Sequence, residues 1–439
     1  MLNKIRKIIP KSVLSLYHKT LALLADFIYR SPSDKLIVIG VTGTSGKSTV
    51  IYLLSRLLEQ AGFKVGVAST IVFKVGKKEW LNDKKMTMIG RFALQKLIFQ
   101  MTKANCQYAI IETTSQGIEQ FRHAGINYDI LVFTNLYPEH IEAHGGFENY
   151  KAAKVRLFRE LERKQKKLIA GQKIQKTIIV NLDDEHADDF LNSWADVKYG
   201  FTLTNKSSNQ AKVMRADQVQ SGGQGTEFRI NQVPFRLKLL GRHNVYNALA
   251  AVTVGLNQSL SLIKISQIFS DVEPPPGRIE FIDEGQNFQI VVDYAFEPVA
   301  LEKLYEVVRG IPGRKIIHVL GSTGGGRDVD RRPKLGRLAG QFADYVIVTN
   351  EDPYDEDPQQ IISQVAAGAL KAGKKINRNL FKISDRRKAI AKALGLAQRS
   401  DIVLVTGKGS EQAIVVKGNK KIPWDDRKVI KEELVKIKS

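Results

Sequence analysis

An α/β fold in two successive domains is predicted by three features of the chain. Short β-branched runs alternate with helical patterns from Leu36 onward; one strand-to-helix junction carries the glycine turn V-T-G-T-S-G-K-S-T at 41–49; and P-P-P-G at 274–277 interrupts the chain before a second β/α series begins. Such alternation indicates a mostly parallel sheet with helices on both faces. A proline run followed by glycine suits a linker between domains. The expected organisation is a basic amphipathic helical arm over 1–34, a central domain over 35–275 with a small antiparallel patch, and a Rossmann-like C-terminal domain over 276–439.

The arm opens like a signal peptide, but His18, Lys19 and Asp26 interrupt its apolar core. Its longest apolar run is far below the ~18 residues of a membrane span, so neither secretion nor a spanning helix is expected. Lys4, Arg6, Lys7, Lys11 and Lys19 accompany Leu14, Leu21, Leu24 and Ile28. That mixture suits a helix lying on an anionic bilayer, and equally a basic helix packed on the next domain.

Four apolar runs then mark the central strands: L-I-V-I-G from Leu36, Y-A-I-I-E at 108–112, I-L-V-F-T at 130–134 and T-I-I-V-N at 177–181. Between 198 and 240 the pattern changes to short runs punctuated by Gly and Asn, such as T-E-F-R-I and F-R-L-K-L-L, which places the antiparallel patch there. A helix containing Asn247 and A-L-A-A-V-T-V-G follows. Beyond the linker, F-Q-I-V-V-D, K-I-I-H-V-L, Y-V-I-V-T and D-I-V-L-V-T repeat the β/α alternation, as in a doubly wound unit.

Over 439 residues, 67 Lys and Arg stand against 45 Asp and Glu, a formal charge of +22 that favours anionic partners: nucleotides, acidic substrates, nucleic acid or a membrane surface. Charge alone does not choose among them. The single cysteine, Cys106, excludes an internal disulfide and a multi-cysteine zinc site, and fits a reducing cytoplasm. On its own it reads as a small buried hydrophobe.

The turn carries the chemistry. Backbone N–H groups over Gly43, Thr44, Ser45 and Gly46, continued into a helix through Lys47, Ser48 and Thr49, make a phosphate-binding nest. Lys47 adds a point charge for the β and γ phosphates, and Ser48 a ligand for Mg²⁺. The strict spacing asks for glycine where Val41 stands, so the pattern fails by one residue. The turn is still expected to hold a nucleoside triphosphate. Glu112 ends a parallel strand, where a carboxylate either meets a divalent ion beside the phosphates or caps the following T-T-S-Q-G. In T-N-L-Y-P-E-H-I-E-A-H-G, His140 and His144 lie four apart among acids, so His140 reads as a metal ligand or as a surface or packed histidine.

Taken together, the motifs resemble the Mur ligases, most closely the UDP-N-acetylmuramoyl-tripeptide synthetases. The matching pieces are T-G-T-S-G-K-S-T, I-E-T-T-S, T-N-L-Y-P-E-H-I-E-A-H-G with N-Y-K-A-A-K, G-R-H-N-V-Y-N-A-L-A-A, G-R-I-E, V-D-Y-A-F-E-P, G-S-T-G-G-G-R-D with R-R-P, T-N-E-D-P and G-K-G-S-E, in the family's order. The resemblance implies an ADP-forming peptide synthase of peptidoglycan precursor synthesis. ATP phosphorylates an acceptor carboxylate, and an amine attacks the acyl phosphate. It also implies site residues. Ser48 and Glu112 would bind one Mg²⁺, and Glu112 with His140 a second. Lys154 would be carbamylated and support the metals, with Lys47, His140 and Lys154 forming the catalytic set. Asn244 and Asn247 would face adenine, with Arg278 and Asp293 also on the nucleotide. Thr113, Thr114 and Ser115, with Arg327, Asp328, Arg331 and Arg332, would face phosphates or the acceptor. Glu351, Asp352 and Glu411 would take the incoming amino acid.

Two departures refine that expectation. Only 35 residues precede the first strand, so the domain that usually holds the acceptor's uridine diphosphate is expected to be missing, and a lipid-linked or other non-UDP acceptor becomes an alternative, which would bring the protein to the inner face of the membrane. Where synthetases for diaminopimelate carry an arginine in D-N-P-R, this chain has Tyr354 in E-D-P-Y, and tyrosine cannot clamp a carboxylate bidentately. A side chain ending in an amine is therefore expected, with Glu351, Asp352, Asp355, Glu356 and Asp357 nearby in sequence, although a solvated acidic loop has the same composition. Ser410 replaces the usual histidine of G-K-G-S-E, and Phe296 and Glu297 replace His and Thr. Rival readings are a folate or polyglutamate ligase, a degenerate ligase serving as a scaffold, and a nucleic-acid-binding ATPase. No RNA-binding or helix-turn-helix signal supports the last, and no nucleic acid is expected as partner.

Overall fold

A computed structural model describes residues 10–139, 141–223, 225–326 and 329–438. His140, Arg327, Asp328 and the first nine residues of the arm lie outside the described residues. The chain forms two compact units. One comprises the chain up to Val219 with Glu227–Arg236 and His243–Val272; the other comprises Gln220–Thr226, Leu237–Arg242 and Glu273–Ser439.

The larger sheet has eleven strands: β1 (Ile37–Thr42), β2 (Val65–Ala68), β3 (Val72–Val75), β4 (Lys78–Leu81), β5 (Tyr108–Glu112), β6 (Ile130–Phe133), β7 (Thr177–Asn181), β8 (Val197–Thr202), β9 (Lys212–Gly222), β10 (Gly225–Ile230) and β11 (Val233–Leu237), in the order β11-β10-β9-β8-β7-β6-β1-β5-β2-β3-β4. At its centre β1 pairs in parallel with β5 and β6, setting Ile39 opposite both Ile110 and Ile130. Strands buried on both faces read as continuous apolar runs, which is why these were visible in sequence. Their register sets Val41 against Glu112 and Thr42 against Phe133, so the turn after β1, the carboxylate ending β5 and the loop after β6 emerge side by side at one sheet edge.

The antiparallel portion differs from expectation. β8, at the start of the expected patch, runs parallel to both β7 and β9. Within the expected patch, β10 and β11 are joined by two residues, a length that connects antiparallel neighbours. That turn contains Asn231 and Gln232, both at positive φ (45° and 67°), as in a type I′ hairpin. A further antiparallel edge, β2-β3-β4, was not anticipated, because charged residues interrupt the apolar runs of β3 (V-F-K-V) and β4 (K-E-W-L).

At the opposite sheet edge lies a buried ionic cluster. Asp129, fully buried, accepts from the ammonium groups of Lys167 and, at 3.0 Å, Lys176; Lys176 also donates to the Tyr128 carbonyl at 2.6 Å. Burial pushes the pKa of Lys167 down to about 8, although Asp129 opposes that shift. Because the unfolded lysine holds its proton up to its ordinary pKa of 10.5, this group's penalty is full below pH 8 and relieved as pH rises from 8 to 10.5. Asp129→Asn removes the carboxylate that both buried cations share and is expected to cost about 3–5 kcal/mol in urea unfolding.

The second unit holds a six-stranded sheet of β12 (Glu280–Phe281), β13 (Gln289–Val292), β14 (Ile316–Leu320), β15 (Tyr345–Thr349), β16 (Leu380–Ile383) and β17 (Ile402–Val405), ordered β12-β13-β17-β14-β15-β16 and parallel from β13 onward. Helices Pro298–Arg309, Arg331–Phe342 and Pro358–Lys371 bury Leu304, Leu335 and Val365 in the core on one face. Helices Arg386–Leu396 and Asp426–Lys438 supply Ile390 and Ile430 to the core on the other. Glu297, Asp357 and Asp385 cap three of these helices by accepting backbone N–H groups. Glu297, where the family's pattern has Thr, is therefore a helix cap. Helices Arg331–Phe342 and Pro358–Lys371 approach so closely that a Cβ on Gly336 would lie 1.8 Å from the Val365 carbonyl oxygen.

Candidate active site

The turn after β1 is held by the loop after β6. Asn135 accepts the Thr44 N–H on its carbonyl at 2.8 Å and the Ser45 N–H on its side chain at 2.9 Å, while the Thr134 hydroxyl donates to the Ser45 carbonyl at 2.7 Å. The Thr44 and Tyr150 hydroxyls meet at 3.0 Å. Two glycines make this fit possible. Gly43 has φ +146°, and a Cβ there would lie 2.0 Å from the Thr134 hydroxyl oxygen; Gly46 has φ +81°, and a Cβ there would lie 2.3 Å from Asn247 Oδ1. Helix Lys47–Gln60 begins directly after, and its first N–H groups have no carbonyl one turn earlier to bond. Lys47 Nζ folds back over the turn, donating to the Thr44 carbonyl at 2.8 Å and the Gly43 carbonyl at 3.1 Å. The sequence reading missed Thr134, Asn135 and Tyr150, although all three sit inside the quoted T-N-L-Y-P-E-H and N-Y-K-A-A-K runs.

Ser48 and Glu112 meet as their positions suggested. The hydroxyl lies 3.1 and 3.0 Å from the two carboxylate oxygens, and the Thr70 N–H donates to one of them at 2.7 Å. Glu112 is 2% exposed. A buried carboxylate and a hydroxyl beside a phosphate nest are hard oxygen donors of the kind that bind Mg²⁺. Among the described residues no cluster of three or more His, Cys, Asp or Glu forms.

Lys154 stands at the same turn. It projects from helix Phe147–Arg163, is 1% exposed, and donates to the Gly43 carbonyl at 2.8 Å, with its ammonium 4.3 Å from the centre of the Tyr150 ring. Burial, followed by the nearby charge of Lys47, lowers its pKa well below the ordinary lysine value. His144 is buried against Tyr150 and paired with Glu119 at 2.9 Å, so it is a packed histidine. Asn247 donates to Asn244 Oδ1 at 2.9 Å, and both are buried in helix Arg242–Asn257 beside the turn. The Thr113 hydroxyl is 3.0 Å from the Tyr128 hydroxyl in the core, Thr114 caps the short helix starting at Ser115 by accepting the Gly117 N–H, and Ser115 is buried.

In the second unit the predicted residues gather at the carboxyl ends of β13, β14, β15 and β17. The Arg278 guanidinium lies 4.2 Å from the Tyr294 ring centre, while Asp293 accepts the Ile279 and Ala295 N–H groups at 2.8 and 2.6 Å. Burial raises the Asp293 pKa. Arg332 is buried, bonded to Gln364 at 2.7 Å and paired with Glu356 at 2.8 Å; Arg331 lies over Phe296 at 5.4 Å. Asp352 and Glu411, both read as substrate ligands, each face Lys408 Nζ at 2.9 Å. Lys408 is fully buried and was not picked out in sequence, although it lies in G-K-G-S-E.

Glu351 is different. It accepts the Thr323 hydroxyl on one oxygen at 2.8 Å, while its other oxygen, like the Ser322 and Thr349 hydroxyls, is buried without a hydrogen-bond partner. Burial first, then the charge of Asp352, raises its pKa. Gly407 leaves room for it, since a Cβ there would stand 2.3 Å from that second oxygen.

Comparison with known proteins gives the family. Residues 41–255 match the Mur ligase middle domain and residues 277–409 the Mur ligase glutamate ligase domain. A UDP-N-acetylmuramyl-tripeptide synthetase of Roseiflexus sp. (strain RS-1) is 40% identical over 423 residues, 95% of this chain and 82% of that protein. A UDP-N-acetylmuramoyl-L-alanyl-D-glutamate–2,6-diaminopimelate ligase of Geobacillus kaustophilus (strain HTA426) is 35% identical, covering 96% of this chain and 83% of that one. A solved structure of a UDP-N-acetylmuramoyl-L-alanyl-D-glutamate–2,6-diaminopimelate ligase superposes with TM-score 0.59 at 27% identity, over 92% of this chain and 79% of the other. With both domains matched and relatives 40% and 35% identical over nearly the whole chain, the chain belongs to the Mur ligases, the family of ATP-dependent enzymes that form amide bonds in peptidoglycan precursors.

Proposed function

We propose that this ligase spends ATP to activate the carboxylate of a muramoyl-peptide-like acceptor and joins to it an amino acid whose side chain ends in an amine, in the cytoplasm or at the inner face of the membrane. The observation that carries the reading is that Lys47, the Ser48–Glu112 pair and Lys154 all converge on one phosphate-binding turn. A carboxylate is a poor electrophile, and moving the γ-phosphoryl group onto its oxygen supplies a leaving group for the amine. Lys47 would neutralise charge on the β and γ phosphates, and the N–H groups of Gly46 to Thr49 would orient them. Ser48 and Glu112 and, on the family's pattern, His140 would hold Mg²⁺, which would supply electrostatic stabilisation of the transferring group. The buried, pKa-depressed Lys154 amine suits carbamylation, since only the neutral amine adds to CO₂; it becomes an N-carboxylate with release of one proton. Asn244 and Asn247 are assigned to the adenine side, Arg278 and Asp293 to the nucleotide, and Arg331 and Arg332, with Arg327 and Asp328, to phosphates or acceptor.

Glu351 is the better candidate for the incoming amine, because its second oxygen has no partner, whereas Asp352 and Glu411 already balance Lys408. Lysine or ornithine is expected as the amino acid added, in contrast to the diaminopimelate named for two of the relatives. Tyr354→Arg is expected to raise kcat/KM for diaminopimelate about tenfold, the worth of one charge-assisted hydrogen bond.

The deciding assay measures phosphate release and product mass with ATP, a panel of amino acids, and acceptors that are UDP-linked, lipid-linked or folate-derived. A product mass of muramoyl peptide plus lysine or ornithine supports the proposal. Turnover confined to folate, or no phosphate release with any pair, overturns it.

A further inference from the structure

Helix Lys11–Ile28 shows its more apolar side to solvent. His18, Ala22 and Ala25 are buried, and the helix packs against helix Arg91–Lys103. On the outer side Phe27 is 80% exposed, Leu16 67%, Tyr17 57%, Val13 55% and Leu24 45%. The spacing of these residues makes one stripe along the whole helix. A contiguous exposed stripe of this kind marks an interaction surface.

The charge around the stripe is mainly positive, although Asp34, just beyond the helix, is exposed. Lys19 and Arg30 are exposed beside it, and the neighbouring helix, which contains no carboxylate, exposes Lys96 and Lys103. Lys103 sits 5.4 Å from the Phe99 ring centre, and that ring lies 5.8 Å from Tyr29 at the end of the arm helix. The one acid of the arm helix, Asp26, is half-buried and accepts the Ser31 hydroxyl at 3.0 Å. The sequence ahead of the helix adds Lys4, Arg6 and Lys7 among Leu2, Ile5, Ile8 and Ile9.

We infer that the outer face of helix Lys11–Ile28 docks on an anionic lipid bilayer, inserting the Leu16–Phe27 stripe at the level of the headgroups while the surrounding lysines and arginines meet acidic lipid. The apolar stripe and the cationic rim are complementary to such a surface. A second copy of the chain fits less well, because a two-fold contact through this face would set the same cations against one another in a protein of charge +22. The inference stands apart from the ligase reading, since docking requires neither nucleotide nor acceptor.

The test is flotation of the full chain, without ATP, with vesicles of phosphatidylcholine alone or mixed with phosphatidylglycerol. Binding is expected to the mixed vesicles, weakened by salt. Leu16→Glu combined with Phe27→Glu, and separately Lys19→Glu with Lys96→Glu and Lys103→Glu, are each expected to lower partitioning about tenfold or more. These side chains are exposed, so the melting temperature should not move. Equal vesicle binding by the variants, or none by the wild type, overturns the inference. So does a wild-type dimer that becomes monomeric in the Leu16→Glu/Phe27→Glu variant, because the stripe then serves a second copy.

Discussion

Lys47→Met is expected to lower ATP-dependent product formation about 10³-fold, the scale of losing one pre-aligned electrostatic donor from a transferring group. The ammonium already sits over the turn on the Gly43 and Thr44 carbonyls, 3.1 and 2.8 Å away, so little rearrangement separates its resting place from the phosphates. A methionine matches its length and removes its charge. Lys47→Arg should not restore activity, because the wider guanidinium must enter a turn already in contact with Thr134, Asn135 and Asn247. Steady-state kinetics with a thermal melt as control checks both variants. Product formation within tenfold of wild type would remove Lys47 from the mechanism.

The parts of this molecule legible in its sequence are those governed by local pattern. Strands β1, β5, β6 and β7 are buried on both faces and so appear as unbroken apolar runs. The turn was legible because Gly43 and Gly46 occupy conformations and spaces that a side chain would disturb. What escaped depends on partners distant along the chain. Lys408 meets Asp352, a partner 56 residues away, and also Glu411, so one buried cation is shared by two acids that the sequence reading assigned to the incoming amino acid. Asp293 and Glu297 are acidic in a motif region, yet both accept backbone N–H groups, and that role leaves no periodic trace. The arm shows the same limit in another form. Leu14 and Leu21 looked like its apolar face, but both are partly covered while Val13, Leu16 and Phe27 face solvent. A helix with apolar residues on several sides does not reveal by period which side its neighbour will cover.

Lys154→Ala is expected to reduce turnover about 10²-fold, with partial recovery when a short carboxylate such as formate or acetate is added. The two results together distinguish a carbamate from an ammonium. An ammonium at 1% exposure is stripped of water, the main reason the Lys154 pKa falls, and beside Lys47 it would also place two cations at one turn. Carbamylation reverses the sign of the side chain, turning repulsion from Lys47 into attraction and giving an oxygen donor in place of a nitrogen donor. An added carboxylate can restore that negative oxygen; it cannot replace a cation, so rescue by methylamine without rescue by formate would exclude the carbamate. Activity of the wild type should also fall in buffers stripped of CO₂ and bicarbonate and return when bicarbonate is supplied, while Lys154→Ala shows no such response. Intact-protein mass spectrometry under mild conditions, seeking one added CO₂ that is absent from the alanine variant, reads the modification without reference to activity.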